Sequence, residues 1–173
     1  MNEALQLKRN DQALKKVQKA ILEAAEGYEL KVLSIVLYGS RARGDYSFDS
    51  DYDIFVLFGD DTSLLEYTQL VSELRLRLHS VKKIKLYSNT LSNFKLIMKS
   101  NPFLGCFCFI VATEGIALYD PEGVFDHLRK ETESLSISER ADHIRNCITM
   151  SEALGSPRWI DYWKKKLEYL KQN

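Results

Sequence analysis

The sequence predicts an α/β (α+β) domain, and three observations carry that expectation. Leu33–Tyr38 and Ile54–Phe58 are short apolar runs, bounded by turn formers and rich in β-branched or aromatic residues, so each reads as a buried strand. Longer stretches before and after them repeat their apolar residues at helical spacing. A chain of 173 residues, 45% hydrophobic and 28% charged, is long enough for one sizeable core and short for two full domains.

The first helix is expected over 3–26, where Leu14, Val17, Ile21 and Ala24 or Ala25 share a face and Gly27 stands where a C-terminal cap belongs. Its opposite face, with Lys15, Lys16 and Lys19, reads as solvated surface. A strand follows from Lys31 to Tyr38, and Gly39-Ser40 leaves it directly into Arg41-Ala42-Arg43, which suits one helical turn closed by Gly44. Free backbone N–H groups at the start of such a turn, with the Ser40 hydroxyl beside them, make an anion site. Glycine at 39 lets a phosphate approach the backbone, and Arg41 and Arg43 can fork onto phosphate oxygens.

The next strand opens with Asp51-Tyr52-Asp53. Strand side chains alternate, so both carboxylates face the same way, and two like charges that close call for a cation. Mg²⁺ or Mn²⁺, hard ions held by one or two carboxylates together with substrate phosphates, suit the pair. A phosphate turn and a metal site thus fall at adjoining strand ends.

These residues resemble the DNA polymerase β-like nucleotidyltransferase superfamily, whose signature is Gly-Ser, a spacer of about ten residues and Asp-x-Asp. Here the match is Gly39-Ser40 with Asp51-Tyr52-Asp53, and Arg41, Arg43, Gly44 and Ser50 look most like the small prokaryotic branch, the minimal nucleotidyltransferases. The resemblance implies a small mixed sheet flanked by helices, a core over 1–120 with its motif region in 31–120, and a helical extension over 121–173. It implies catalytic and metal-binding roles for Asp51 and Asp53, and nucleotide contacts for Gly39, Ser40, Arg41, Arg43 and Ser50. Many relatives carry a third carboxylate in the strand expected at Val81–Tyr87. Lys85 stands there instead, or Lys83 if the register slips by two, and neither is an acid. Glu66, Glu73 and Glu114 are the nearest acidic alternatives, none on a strand-like run.

Between those strands, Gly59-Asp60-Asp61 makes a turn, and Ser63 with Glu66 has capping-box spacing ahead of Leu64, Tyr67, Val71, Leu74 and Leu78. His79 at the helix end reads as a cap or dipole partner. Ser92–Ser100 suits a short helix capped by Ser92 and stopped at Asn101-Pro102. Phe103–Val111 is apolar all round, which periodicity cannot assign; the resemblance favours helix for 102–113 and strand for Ile116–Tyr119. Asp120-Pro121 suits a helix start running through Val124, Phe125 and Leu128. Ser136 and Glu139 repeat the capping-box spacing before Ala141, Ile144, Cys147, Ile148 and Leu154, with Gly155 closing. Ser156-Pro157 then starts a helix striped by Ile160, Trp163, Leu167 and Leu170. Trp159 and Trp163, one turn apart, suit core packing or a homodimer contact, with a stacking surface for a substrate ring as the third option.

Lys plus Arg and Asp plus Glu number 24 each, so no overall field draws nucleic acid or a membrane surface. Cys106, Cys108 and Cys147 lack zinc spacing and are odd in number, which suits reduced thiols in a cytoplasmic protein. No apolar run reaches the roughly 18 residues of a membrane span. The motif supports a transferase moving a nucleoside monophosphate from a triphosphate, ATP above others, to a hydroxyl. The small branch also includes antitoxins paired with HEPN-type helical toxins, and Lys85 suits such a regulatory protein with weakened catalysis; an antibiotic adenylyltransferase is a third class.

Overall fold

The computed structural model describes residues 11–78 and 84–172, so residues 3–10 of the expected first helix, His79, and positions 81–83 with Lys83 lie outside the described residues. The order is α1 (Gln12–Gly27), β1 (Val32–Tyr38), α2 (Gly39–Arg43), β2 (Tyr52–Phe58), α3 (Leu64–Leu78), β3 (Ile84–Thr90), α4 (Leu91–Ser100), α5 (Pro102–Glu114), β4 (Ile116–Tyr119), α6 (Val124–Glu133), α7 (Ile137–Ala153) and α8 (Pro157–Gln172). The four strands form one mixed sheet in the order β3-β2-β1-β4. β1 runs antiparallel to β2 and β4, and β2 runs parallel to β3 through the α3 crossover.

The two central strands are apolar except at Ser34 and Asp53 because the sheet is covered on both faces. Ile35, Leu37, Ile54, Val56 and Phe58 pack under α1 and α3 with Leu14, Val17, Ile21, Leu70 and Leu74. Val36, Tyr38, Phe55 and Leu57 face the other way, onto Phe94 and Met98 of α4, Cys108 and Val111 of α5, and Phe125 and Leu128 of α6. α5 is apolar on every side for a related reason. Cys108, Val111 and Ala112 meet the sheet, while Cys106, Phe109 and Ile110 meet Ile144, Cys147 and Trp163 of the last two helices. Gly105 permits the close crossing of α4, since a Cβ there would lie 2.8 Å from the Ile97 carbonyl. The three cysteines are free and buried.

Three helix ends differ from the sequence expectation. The left-handed step after α1 falls at Glu29 (φ 55°), not Gly27, and the Leu30 N–H closes on the Ala25 carbonyl. Leu30 is buried in the same cluster as Ala25, and this contact fixes where the turn falls. Thr90, not Ser92, occupies the N-cap position of α4 but makes no side-chain cap bond; the Asp60 carboxylate caps instead, accepting from the Ser92 N–H and hydroxyl at 2.8 and 2.7 Å. That cap comes from a distant turn, which no local pattern announces. Helix α6 begins at Val124 after Gly123 (φ 69°), so Pro121 lies in the turn before it; Asp120 still accepts from the N–H groups of Phe125 and Asp126. The Ser136–Glu139 capping box forms as expected.

Trp163 is wholly buried where α8 meets α5 and α7. Trp163→Ala should cost about 3–5 kcal/mol, the range for removing a large buried aromatic. Urea unfolding of the variant beside the wild type measures it.

Candidate functional site

Antiparallel pairing lays Tyr38, the last residue of β1, opposite Asp53, the second residue of β2. The chain turns out of β1 through Gly39 (φ 72°), a left-handed conformation that favours glycine. A Cβ at 39 would collide with Oδ2 of Asp53. The close approach that glycine permits is therefore, in the first place, that of the Asp53 carboxylate. Gly44 (φ 88°) ends α2 in the left-handed region, as the sequence pattern suggests.

The loop from 44 to 51 is held back on α2 by Arg41. Its Nε and Nη2 donate to the Ser50 carbonyl at 3.0 and 2.9 Å, Nε also reaches the Asp51 carbonyl at 3.2 Å, and the guanidinium stacks over Tyr52, 3.9 Å from the ring centre, and Tyr46. Ser50 caps its own loop, accepting from the Ser47 N–H at 2.9 Å. Arg41 thus fixes where Asp51 enters β2, with its Nε and Nη2 committed to backbone carbonyls.

A cavity of about 360 Å³ opens at these strand ends, lined by Ser40, Arg43, Asp45, Asp49, Ser50, Asp51, Asp53, Lys85, Arg158, Trp159 and Tyr162. Of the residues that the sequence marks, Ser40, Arg43, Ser50, Asp51 and Asp53 line it together; Gly39 lies behind Asp53, and Arg41 faces the loop backbone. Asp45, Asp49, Arg158 and Tyr162 were not marked by the sequence. The two aspartates lie in the motif spacer, whereas Arg158 and Tyr162 arrive on a helix more than a hundred positions away, for which the sequence holds no signal.

Asp53 is partly buried, and loss of solvent raises its carboxyl pKa above the ordinary value, offset by the Lys85 charge and added to by Asp51. Part of that dry wall is aromatic: Tyr38 makes edge-on contacts with Tyr87 and Phe107, at 6.5 and 5.3 Å between ring centres. Lys85 lies opposite Asp53 in the parallel β2–β3 ladder, and its Nζ is 2.8 Å from Oδ2 of Asp51. This bond and the two negative charges hold the ammonium pKa above the ordinary lysine value. Among the described residues, no third His, Cys, Asp or Glu joins the pair to make a three-ligand metal set. Glu66 bonds to Ser63, Glu73 pairs with Arg77, and Glu114 lies further back.

Glu114 ties the site to the C-terminal helices. Its buried carboxylate accepts from Tyr162 and Lys166, both at 2.6 Å, and from Arg43 at 3.2 Å. Arg43 also pairs with Asp45 at 3.3 Å and lies over Trp159, 4.5 Å from the ring centre. Arg158 donates to the Asp45 carbonyl and carboxylate at 2.7 and 3.1 Å. The wall formed by α8 is thus clamped to the Gly-Ser turn by charge.

The sequence model described as "Polymerase beta, Nucleotidyltransferase" matches residues 19–120, more than half of the chain. This chain belongs to that family. Within the matched nucleotidyltransferase region lie the Gly-Ser turn, the Asp-x-Asp strand and Lys85. No curated protein is similar enough in sequence to count as a match. Solved structures similar to this chain include a toxin–antitoxin crystallised with AMP-PNP, at 22% identity over 68% of this chain and 84% of that one, with a TM-score of 0.42. The MntA–HepT toxin–antitoxin is 20% identical over 68% and 82% of the two chains, with a TM-score of 0.42. A tri-AMPylated HEPN toxin from Shewanella oneidensis with its MNT antitoxin gives 20% identity over 70% and 84%, at a TM-score of 0.42. None of the described helices is long and apolar enough to cross a membrane.

Desolvation disfavours the charged form of Asp53, so this carboxylate weakens the fold that holds it. Asp53→Asn should unfold at a higher temperature than the wild type at neutral pH, which a calorimetric scan of both proteins measures.

Proposed function

We propose that this nucleotidyltransferase carries a nucleoside monophosphate from a nucleoside triphosphate, ATP above others, to a hydroxyl acceptor. The observation that supports this best is the gathering of Ser40, Asp51 and Asp53 on one cavity, with Gly39 placing the turn against Asp53. Ser40 and the N–H groups of the turn would receive the phosphate tail. Arg43 adds positive charge at the wall, and Arg41 positions the loop rather than the nucleotide.

The cavity lining carries four aspartates against Arg43, Lys85 and Arg158, so a triphosphate meets an excess of like charge. Asp53 also shows no hydrogen-bond donor among the described residues, and its oxygens and those of Asp51 are hard donors of the kind Mg²⁺ or Mn²⁺ takes. Both features fit a divalent ion that enters with the nucleotide, held by Asp51 and Asp53. When bound, such an ion offsets charge gathering on the α-phosphoryl group and the leaving pyrophosphate. The chain's own share is orientation: the turn holds the tail in line while the acceptor hydroxyl approaches along the cleft. Of the other carboxylates on the cavity, Asp45 is held by Arg43 and Arg158, so the acceptor's proton passes to Asp49, to water or to a group the acceptor brings.

The extension over 121–173 is proposed to select the acceptor, because α8 supplies Arg158, Trp159 and Tyr162 to the cavity. Labelled ATP, Mg²⁺ and candidate acceptors should give transfer that falls by at least about 100-fold in Asp53→Asn, the loss expected when a group acting on transition-state charge is removed. Equal transfer by both proteins would sink the mechanism.

A second reading rests on Lys85, whose ammonium already engages Asp51. In it the chain is a regulator with weakened catalysis that binds a helical HEPN-type partner. Affinity capture with the tagged full chain from its own host should then retain a short helical protein carrying an Arg-x4-6-His motif, identified by mass spectrometry. Capture without such a protein removes this reading.

A further inference from the structure

We infer that the Lys85 ammonium is a resident cation of the phosphate cleft, so that the site takes a nucleoside triphosphate with one divalent ion and no second. The inference rests on the nucleotide-binding role proposed above and concerns how its charge is balanced.

Lys85 stands on an edge strand with its side chain 57% exposed, against 24% for Asp51. An ion pair so open to water adds little to stability, which makes holding the fold together a poor reason for it. Its location is more informative. The cavity's two arginines are already committed, Arg43 to Glu114 and Asp45, and Arg158 to Asp45. Among the described residues, Lys85 is bonded to Asp51 alone. An ammonium has three N–H donors on a flexible four-carbon stem, so two remain to meet phosphate oxygens without breaking that bond.

The same bond limits the metal count. Oδ2 of Asp51 accepts from Lys85, so a cation on that oxygen would stand against a fixed positive charge, whereas Oδ1 of Asp51 and the two Asp53 oxygens face a cation without that contact. With no third ligand of the His, Cys, Asp or Glu kind among the described residues, that set matches one Mg²⁺ completed by phosphate and water. A second divalent ion would have to lie beside both the first and a fixed positive charge, and among the described residues neither Asp45 nor Asp49 joins the pair in a cluster that could hold it. Lys85 therefore supplies part of the charge balance that a second ion would otherwise provide.

Binding of a non-hydrolysable ATP analogue to the full chain, followed by calorimetry in EDTA and in Mg²⁺, tests the first half. The wild type should keep measurable binding in EDTA, weaker than in Mg²⁺, and Lys85→Met, which keeps the stem, should weaken that metal-free binding by at least about tenfold, the scale of one charge-assisted contact. Counting bound Mn²⁺ by electron paramagnetic resonance at saturating analogue tests the second half. One ion per wild-type complex and two per Lys85→Asp complex are expected. Two ions in the wild type, a count that needs no variant, or equal metal-free affinity in wild type and Lys85→Met would overturn the inference while leaving the nucleotide-binding proposal intact. Failure of the wild type to bind the analogue under any condition would end both.

Discussion

Antiparallel pairing of β1 with β2 is the constraint from which the rest of the site follows. It sets the end of one strand beside the start of the other, so Tyr38 faces Asp53 and the turn at Gly39 meets the Asp53 carboxylate. Burial of both sheet faces fixes that register. A slip of one residue would move Ile54, Val56 and Phe58 from one apolar layer to the other and turn Asp53 into the core. The large apolar side chains thus hold one carboxylate, Asp53, that is itself unfavourable to the fold.

The C-terminal helices enter this scheme through charge as well as packing. Trp163 and its neighbours seat α8 on α5, and Glu114 binds Arg43 on one side and Tyr162 and Lys166 on the other. Any tilt of α8 therefore acts on Arg43 and, through it, on the turn that carries Ser40, three residues before it. Breaking a buried charge cluster of this kind is costly because each partner left behind has already lost its water. Acceptor recognition, proposed for this wall, is in that way mechanically linked to the Gly-Ser turn.

Much of the fold was legible because its signals are local. The strand runs, the Ser136–Glu139 box and the Asn101-Pro102 boundary each involve residues within a turn of one another, and each appears near its expected position. The expectations that shifted depend on partners elsewhere in the chain. Leu30 docks into the core and moves the end of α1, and Asp60 reaches across to the start of α4. For α5, a helix lodged between the sheet and two other helices has no polar face, so periodicity could not distinguish it from a strand; its assignment needed the family resemblance.

For the candidate site the division is similar. The sequence alone determined the chemical groups, because Gly-Ser and Asp-x-Asp are close enough in the chain for a strand, a tight turn and a return strand to bring them together. It also put Lys85 on the neighbouring strand. Tertiary structure decided what each group faces: Arg41 is spent on the Ser50 and Asp51 carbonyls, Arg43 is shared with Glu114, and Arg158, Trp159 and Tyr162 form a wall from the far end of the chain. Hydrogen-bond partners and cavity walls are set by packing between distant elements, and spacing along a sequence carries no record of that packing.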